Sequence, residues 1–228
     1  MSKETLMLTI AVLGGTGKEG KGLTYRWAKA GYRILIGSRY SEKAVTVASE
    51  IMELLEGESS IVGTTNHEAA TQADIVVLTV PYSGHREFLE SLKDSLNGKL
   101  VIDTTVPLVP PKIRKVQMPP AGSAAQEAKE ILGENVDVVA AFQSIPYELL
   151  LTDDEIDCDV LVTGSSKKAR QEALRLVDAA GLTGWDAGPI ENSVVVEGLA
   201  SVLININKEY GSTHSGVRIT GAQRPSTD

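Results

Sequence analysis

Leu8-Thr9-Ile10-Ala11-Val12-Leu13-Gly14-Gly15-Thr16-Gly17-Lys18-Glu19-Gly20 decides the fold. Leu8–Leu13 is a continuous apolar run, as a strand covered on both faces requires. Gly15, Gly17 and Gly20 then form a G-x-G-x-x-G, and Lys18–Ala30 continues with Leu23, Trp27 and Ala30 on one helical face. A strand running straight through such a loop into a helix is the context that gives the motif meaning. Gly15 allows the tight turn, Gly17 lets a pyrophosphate approach the backbone, and Gly20 lets helix and strand pack closely. The helix start offers free N–H groups and a positive dipole end to the phosphates.

The same rhythm repeats outward. Arg33–Ile36, Ser60–Val62, Ile75–Val80, Leu100–Ile102 and Val136–Phe142 read as further strands. Between them lie helices at 41–55, capped by Ser41, at 68–72, at 87–96 and at 123–132. Repeated βαβ predicts an α/β chain, a Rossmann-type doubly wound parallel sheet. Thr104–Pro120 interrupts the pattern with five prolines. It forms a long loop at the carboxyl edge of a strand, where ligands bind in open α/β sheets. After residue 150 the pattern changes to an acidic stretch, a strand at Val160–Thr163, a helix at Lys167–Ala180 and an apolar helix at Ser193–Glu209. At roughly 150 residues per domain, 228 residues suggest one full domain and a smaller companion. We expect an NADP-binding domain at 1–150 and a small C-terminal α+β domain at 151–228, a lid or dimer contact, with 221–228 a frayed tail.

Composition narrows the partners. A net charge of −8 argues against nucleic acid, which needs a basic face. Aromatics at 4% leave few stacking platforms for single strands. No uncharged apolar run approaches the ~20 residues that span a bilayer, so no membrane partner is expected. Lys3 and the run from Leu6 could mimic a signal peptide, but the run leads into the glycine loop and reads as a strand. Cys158 is the only cysteine, which excludes an internal disulfide and fits a reducing cytoplasm.

The end of the second strand selects the nucleotide. An NAD site usually has an acid there for the ribose 2′-hydroxyl. This chain has Gly37-Ser38-Arg39, with Lys43 a turn later. A hydroxyl, a planar guanidinium and an ammonium suit the 2′-phosphate of NADP(H).

Further segments extend the pattern: Leu78-Thr79-Val80-Pro81, Pro107-Leu108-Val109-Pro110, Ser144-Ile145-Pro146, Asp186-Ala187-Gly188-Pro189 and Asn192-Ser193. With the glycine loop and Gly37-Ser38-Arg39, the chain resembles the NADPH-dependent coenzyme F420 reductases over roughly residues 6–210. The resemblance implies hydride transfer between NADP(H) and the deazaflavin coenzyme F420 in a homodimer. It implies NADP contacts at the glycine loop (Gly15, Thr16, Gly17, Lys18, Glu19, Gly20) and at Ser38, Arg39 and Lys43. Val80 and Pro81 match the nicotinamide side; Val106, Pro107, Gln143, Ile145 and Pro146 match the deazaflavin pocket. The chain departs from the family pattern at Gln143, where a histidine is expected, and at Lys18 and Glu19, where neutral residues are. An acid beside a pyrophosphate repels it unless it points away.

Hydride transfer needs two rings stacked with water excluded and little acid–base chemistry, so no catalytic residue is nominated. His85 reads as a surface histidine at a helix start. Asp153–Asp159 reads as a solvated acidic turn, Cys158 as a buried small hydrophobe, and no cluster has metal-ligand spacing. Two other functions stay open from the residues alone. One is an NADPH-dependent reductase of a flavin, imine or ferric chelate; the other is a non-catalytic NADP-binding module.

Overall fold

The computed structural model describes residues 8–57 and 59–224. Residues 1–7, Glu58 and the expected tail from 225 on lie outside it. Eight strands form one sheet: β1 (Thr9–Leu13), β2 (Arg33–Ser38), β3 (Ile61–Thr65), β4 (Ile75–Leu78), β5 (Leu100–Asp103), β6 (Asp137–Ala140), β7 (Asp159–Gly164) and β8 (Thr183–Pro189). Their order is β3-β2-β1-β4-β5-β6-β7-β8. All neighbours pair parallel except β6 with β7. The winding reverses between β1 and β4, and a crevice opens above that point at the carboxyl edge.

Among the described residues seven α-helices flank the sheet: α1 (Lys18–Lys29), α2 (Ser41–Leu54), α3 (Asn66–Gln72), α4 (His85–Leu96), α5 (Ala124–Leu132), α6 (Lys167–Ala179) and α7 (Ser193–Tyr210). They cover both faces. Alternate residues of β1 point to opposite sides: Ile10 and Val12 join Leu23 and Trp27 of α1, Val47 of α2 and Leu176 of α6. Ala11 and Leu13 join Ala69 of α3, Leu89 of α4 and Ala128 of α5. Trp27 packs edge-on to Phe142 with ring centroids 5.7 Å apart, and its Nε1 donates to Leu176 O at 2.8 Å. Ala30, expected on the inner face of α1, is exposed at its C-cap.

Past residue 150 the same sheet continues, with β7 adding antiparallel to β6 and β8 to β7. Several expectations are corrected. Tyr40, not Ser41, is the N-cap residue of α2. The acidic turn is only partly solvated. Asp153 accepts from Tyr25 Oη (2.8 Å) and Lys29 Nζ (2.5 Å), while Asp159 is buried and accepts from Trp185 Nε1 (2.9 Å). The segment around Val217 docks on the same residue: Asp159 N donates to Val217 O (2.7 Å), and Ile219 N to Asp159 Oδ2 (2.6 Å). His85 is not on the surface. The first turn of α4 lands over the end of β5, and the imidazole is fully buried against Asp103. Cys158 is buried as expected, which pushes its thiol up to about 11.

Candidate functional site

The carboxyl edge carries three adjoining clefts. The first, about 490 Å³, lies over the β1/β4 switch point between the glycine loop, the end of β2 and the end of β4. Gly14 turns the chain with φ 71°, a left-handed value open to glycine at little cost. A Cβ on Gly20 would stand 2.6 Å from Gly15 Cα, so α1 approaches β1 as closely as the motif requires. Gly14 N donates to Asn66 Oδ1 at 3.1 Å, which ties the loop to the end of β3. No side chain caps α1, so its first-turn N–H groups face the cleft unclaimed by a cap.

Thr16, Gly17, Ser38, Arg39, Lys43, Val80 and Pro81 all line this first cleft, as do Tyr40, Asn66, Thr79 and Ser83. Ser38 is buried and its Oγ accepts from Tyr40 N at 3.2 Å. Arg39 and Lys43 are exposed, and among the described residues neither forms an ion pair. Lys43 Nζ stands 5.1 Å from the Tyr40 ring centroid. Two free cations beside uncapped N–H groups form an anion cradle that fits a phosphorylated dinucleotide.

The second cleft, about 450 Å³, shares Thr79, Val80, Pro81 and Ser83 with the first. The third, about 410 Å³, shares Glu19, Thr104, Val106, Leu108 and Ile113 with the second. Gln143, Ile145 and Pro146 line its far side, and Leu203 of α7 closes it. Pro107 is buried behind this wall and does not line it. Gln143 Nε2 donates to Asp103 O at 2.8 Å, while its buried Oε1 has no partner. A slot that mixes apolar walls with the acceptors of Gln143, Glu19 and Glu148 fits a flat heteroaromatic ring bearing N–H groups.

Lys18 and Glu19 do not join the first cleft. Lys18 is exposed, with Nζ 5.5 Å from the Tyr147 ring centroid. Glu19 points to the opposite side of α1, into the second and third clefts. Desolvation there outweighs an opposing hydrogen bond with Thr104 and, with the charge of Asp103, pushes its carboxyl up to about 8.

Behind the clefts lies a buried polar network that the sequence pattern does not announce. His85 Nε2 is 2.7 Å from Asp103 Oδ2, and Asp103 Oδ1 accepts from Thr105 N at 3.0 Å. Burial works against a charged imidazole, yet Asp103, Glu127 and Glu197 outweigh it and raise its proton affinity. Glu127 accepts from Arg86 Nη2 at 2.6 Å. Glu197 of α7 accepts from Ala124 N (2.6 Å) and Ala125 N (3.0 Å), and burial pushes its carboxyl up to about 8. The proline-rich loop rests on the same helix: Ser201 Oγ donates to Ile113 O at 2.9 Å, and Arg114 Nη1 to Asn205 Oδ1 at 3.2 Å.

Asn66 was absent from the sequence reading, although Thr65-x-x-Glu68 is a legible capping box that fixes its place at the start of α3. Tyr40, next to Arg39, carried no signal of its own. Among the described residues no group of His, Cys, Asp or Glu is arranged to hold a metal ion, and no helix is long and apolar enough to cross a membrane.

Comparison with known proteins agrees with this geometry. A family model described as NADP oxidoreductase coenzyme F420-dependent matches residues 9–107. An F420-dependent NADP reductase of Methanocaldococcus jannaschii is 37% identical over 224 residues, covering 95% of this chain and 100% of the relative. One from Methanothermobacter marburgensis is 36% identical over 220 residues, covering 93% and 98%. A crystal structure from Arthrobacter sp. FB24, provisionally assigned as an F420-dependent NADP reductase, superposes with a TM-score of 0.77 at 21% identity, covering 93% of this chain and 99% of that one. At that identity it shows the shared fold.

Proposed function

The chain belongs to the family of coenzyme F420-dependent NADP reductases, and from that premise we propose how its clefts divide the work. It is an oxidoreductase that moves a hydride between NADP(H) and coenzyme F420. The observation that carries the assignment of sites is the shared wall of Val80, Pro81 and Thr79, which joins the anion cradle of the first cleft to the second cleft, itself continuous with the acceptor slot of the third. Thr16, Gly17 and the α1 N–H groups hold the pyrophosphate. Ser38, Arg39 and Lys43 hold the 2′-phosphate. Val80 and Pro81 set the nicotinamide edge. Val106, Ile145 and Pro146 sandwich the deazaflavin, and the Oε1 of Gln143 accepts a hydrogen bond from it. The two bound coenzymes supply the hydride chemistry; the protein aligns them and excludes water. The proline-rich loop, braced on α7 through Ser201 and Arg114, supplies Val106, Leu108 and Ile113 to the wall of the acceptor slot.

α7 also supports a homodimer. Val195, Val202 and Ile206 leave a largely exposed apolar stripe along it, which a second copy would cover. The lone, buried Cys158 suits a reducing cytoplasm.

Mixing the protein with NADPH and either F420 or FMN tests the assignment. Loss of acceptor absorbance with F420 alone is expected. Loss with FMN alone would transfer the protein to flavin reduction, and tight NADPH binding with no turnover would make it a binding module.

A further inference from the structure

Glu19 stands where two clefts meet. It lines both the second and the third, beside Thr104, with Val80 and Pro81 across the second cleft and Gln143 and Ile145 across the third. The Thr104 hydroxyl donates to Leu78 O at 2.9 Å and also stands beside Glu19, where its hydrogen bond favours the carboxylate; burial outweighs it and favours the acid. The charged groups around Glu19 reinforce this. Asp103 at the end of β5, already engaged by His85, raises the proton affinity of Glu19 further. Glu148 lines the third cleft. On its own helix, Lys18 is exposed over the Tyr147 ring and Lys21 is paired with Glu50 at 2.7 Å. No cation among these neutralises Glu19.

We propose that Glu19 is the proton-holding residue of the acceptor slot, giving up and recovering the proton that must accompany the hydride. This rests on the functional reading above. The balance is NADPH plus oxidised acceptor plus one proton, giving NADP+ plus reduced acceptor. One C–H bond breaks at the nicotinamide and one forms at the deazaflavin. The Glu19 O–H bond breaks as its proton passes to the electron-rich ring, and solvent restores it. In the reverse direction the carboxylate takes that proton back. Desolvation holds the acid form into the neutral range, where proton affinity near the working pH serves transfer both ways.

The test begins without either coenzyme. In protein labelled with 13C-glutamate, the carboxyl signal that disappears in Glu19→Gln is followed by NMR across pH 5–10. Glu19→Asp serves for the same assignment if Glu19→Gln does not fold. A midpoint near neutrality or above is expected; a group already ionised at pH 6 would overturn the proposal. With NADPH and F420, Glu19→Gln should lower kcat roughly a hundredfold at pH 7, the scale of one general acid. It should keep the KM for NADPH and lose the alkaline limb of the wild-type pH profile. An unchanged profile in Glu19→Gln also overturns the proposal. Failure of the wild-type protein to reduce F420 at all would instead overturn the functional reading.

Discussion

His85 Nε2 and Asp103 Oδ2 lie 2.7 Å apart, and neither side chain reaches solvent. The pair joins α4 to the end of β5. Through Asp103 it also fixes Thr105, whose Oγ1 donates to Val80 O at 3.3 Å. The wall shared by the first and second clefts is thus held from behind by one buried pair. Replacing His85 by Ala leaves the Asp103 charge without its partner and should cost about 3–5 kcal/mol. The folded-state proton affinity of His85 is raised, so its contribution is complete below the unfolded value of about 6.5 and fades as pH rises through the higher folded value. Urea melts of wild type and His85→Ala from pH 5.5 upward should show the difference between them shrinking with pH. A constant difference would mean that the imidazole is not charged in the fold.

Glu197 titrates with a related sign. Burial favours its acid form in the folded state, while the unfolded carboxyl ionises near its ordinary value of 4.5. Wild-type stability should therefore decline as pH rises from about 4.5 to about 8. Glu197→Gln keeps a carbonyl oxygen for Ala124 N and removes the ionisation. Its stability should be flatter over that window and overtake the wild type toward pH 8. Equal slopes in denaturant melts would show that Glu197 is not the group responsible.

Arg39 is the residue we propose reads the 2′-phosphate, and it lines the first cleft. Arg39→Ala should weaken NADPH binding by roughly 1.5–3 kcal/mol, the scale of a hydrogen bond to a charged group. NADH, which lacks the 2′-phosphate, should bind almost as before. Fluorescence titration with both nucleotides decides this, and equal losses would place Arg39 outside the 2′-phosphate site.

Gly20 has no room to grow. A Cβ there would meet Gly15 Cα at 2.6 Å and Thr79 Oγ1 at 2.9 Å, the first a backbone atom that cannot rotate away. Gly20→Ala should destabilise by about 1–3 kcal/mol through overpacking. It should also raise the Kd for NADPH, because α1 and its free N–H groups are pushed off the loop. Thermal unfolding with and without NADPH measures both effects. An unchanged Kd would detach the glycine packing from phosphate binding.

The parts of this molecule that local physics determines were legible in the sequence. The apolar run of β1, the glycine spacing and the cations after β2 each act within a few residues of one another. β8 was missed because Thr183-Gly184-Trp185-Asp186-Ala187-Gly188-Pro189 has no apolar run; it is an edge strand, half exposed, held by β7 alone. His85 was misread because its burial depends on where α4 lands over Asp103, a residue 18 positions away. Glu19 was grouped with the phosphate loop by its position in the motif. Its direction is set by the helical turn of α1 and by walls that come from Thr104 and Gln143. Asn66 reaches the glycine loop across 52 residues, which no spacing rule encodes.

The clefts differ in how much chain must be in place to build them. Every residue lining the first lies between Gly14 and Phe88, whereas the third draws on Glu19, then on residues from Thr104 to Ser215. On a ribosome, the phosphate cradle can emerge complete while the acceptor slot still lacks its far wall. In descent, the same separation lets a new acceptor be tried by altering the later half of the chain while the nucleotide-reading half stays untouched. Glu19 is the one residue of the early half that lines the third cleft.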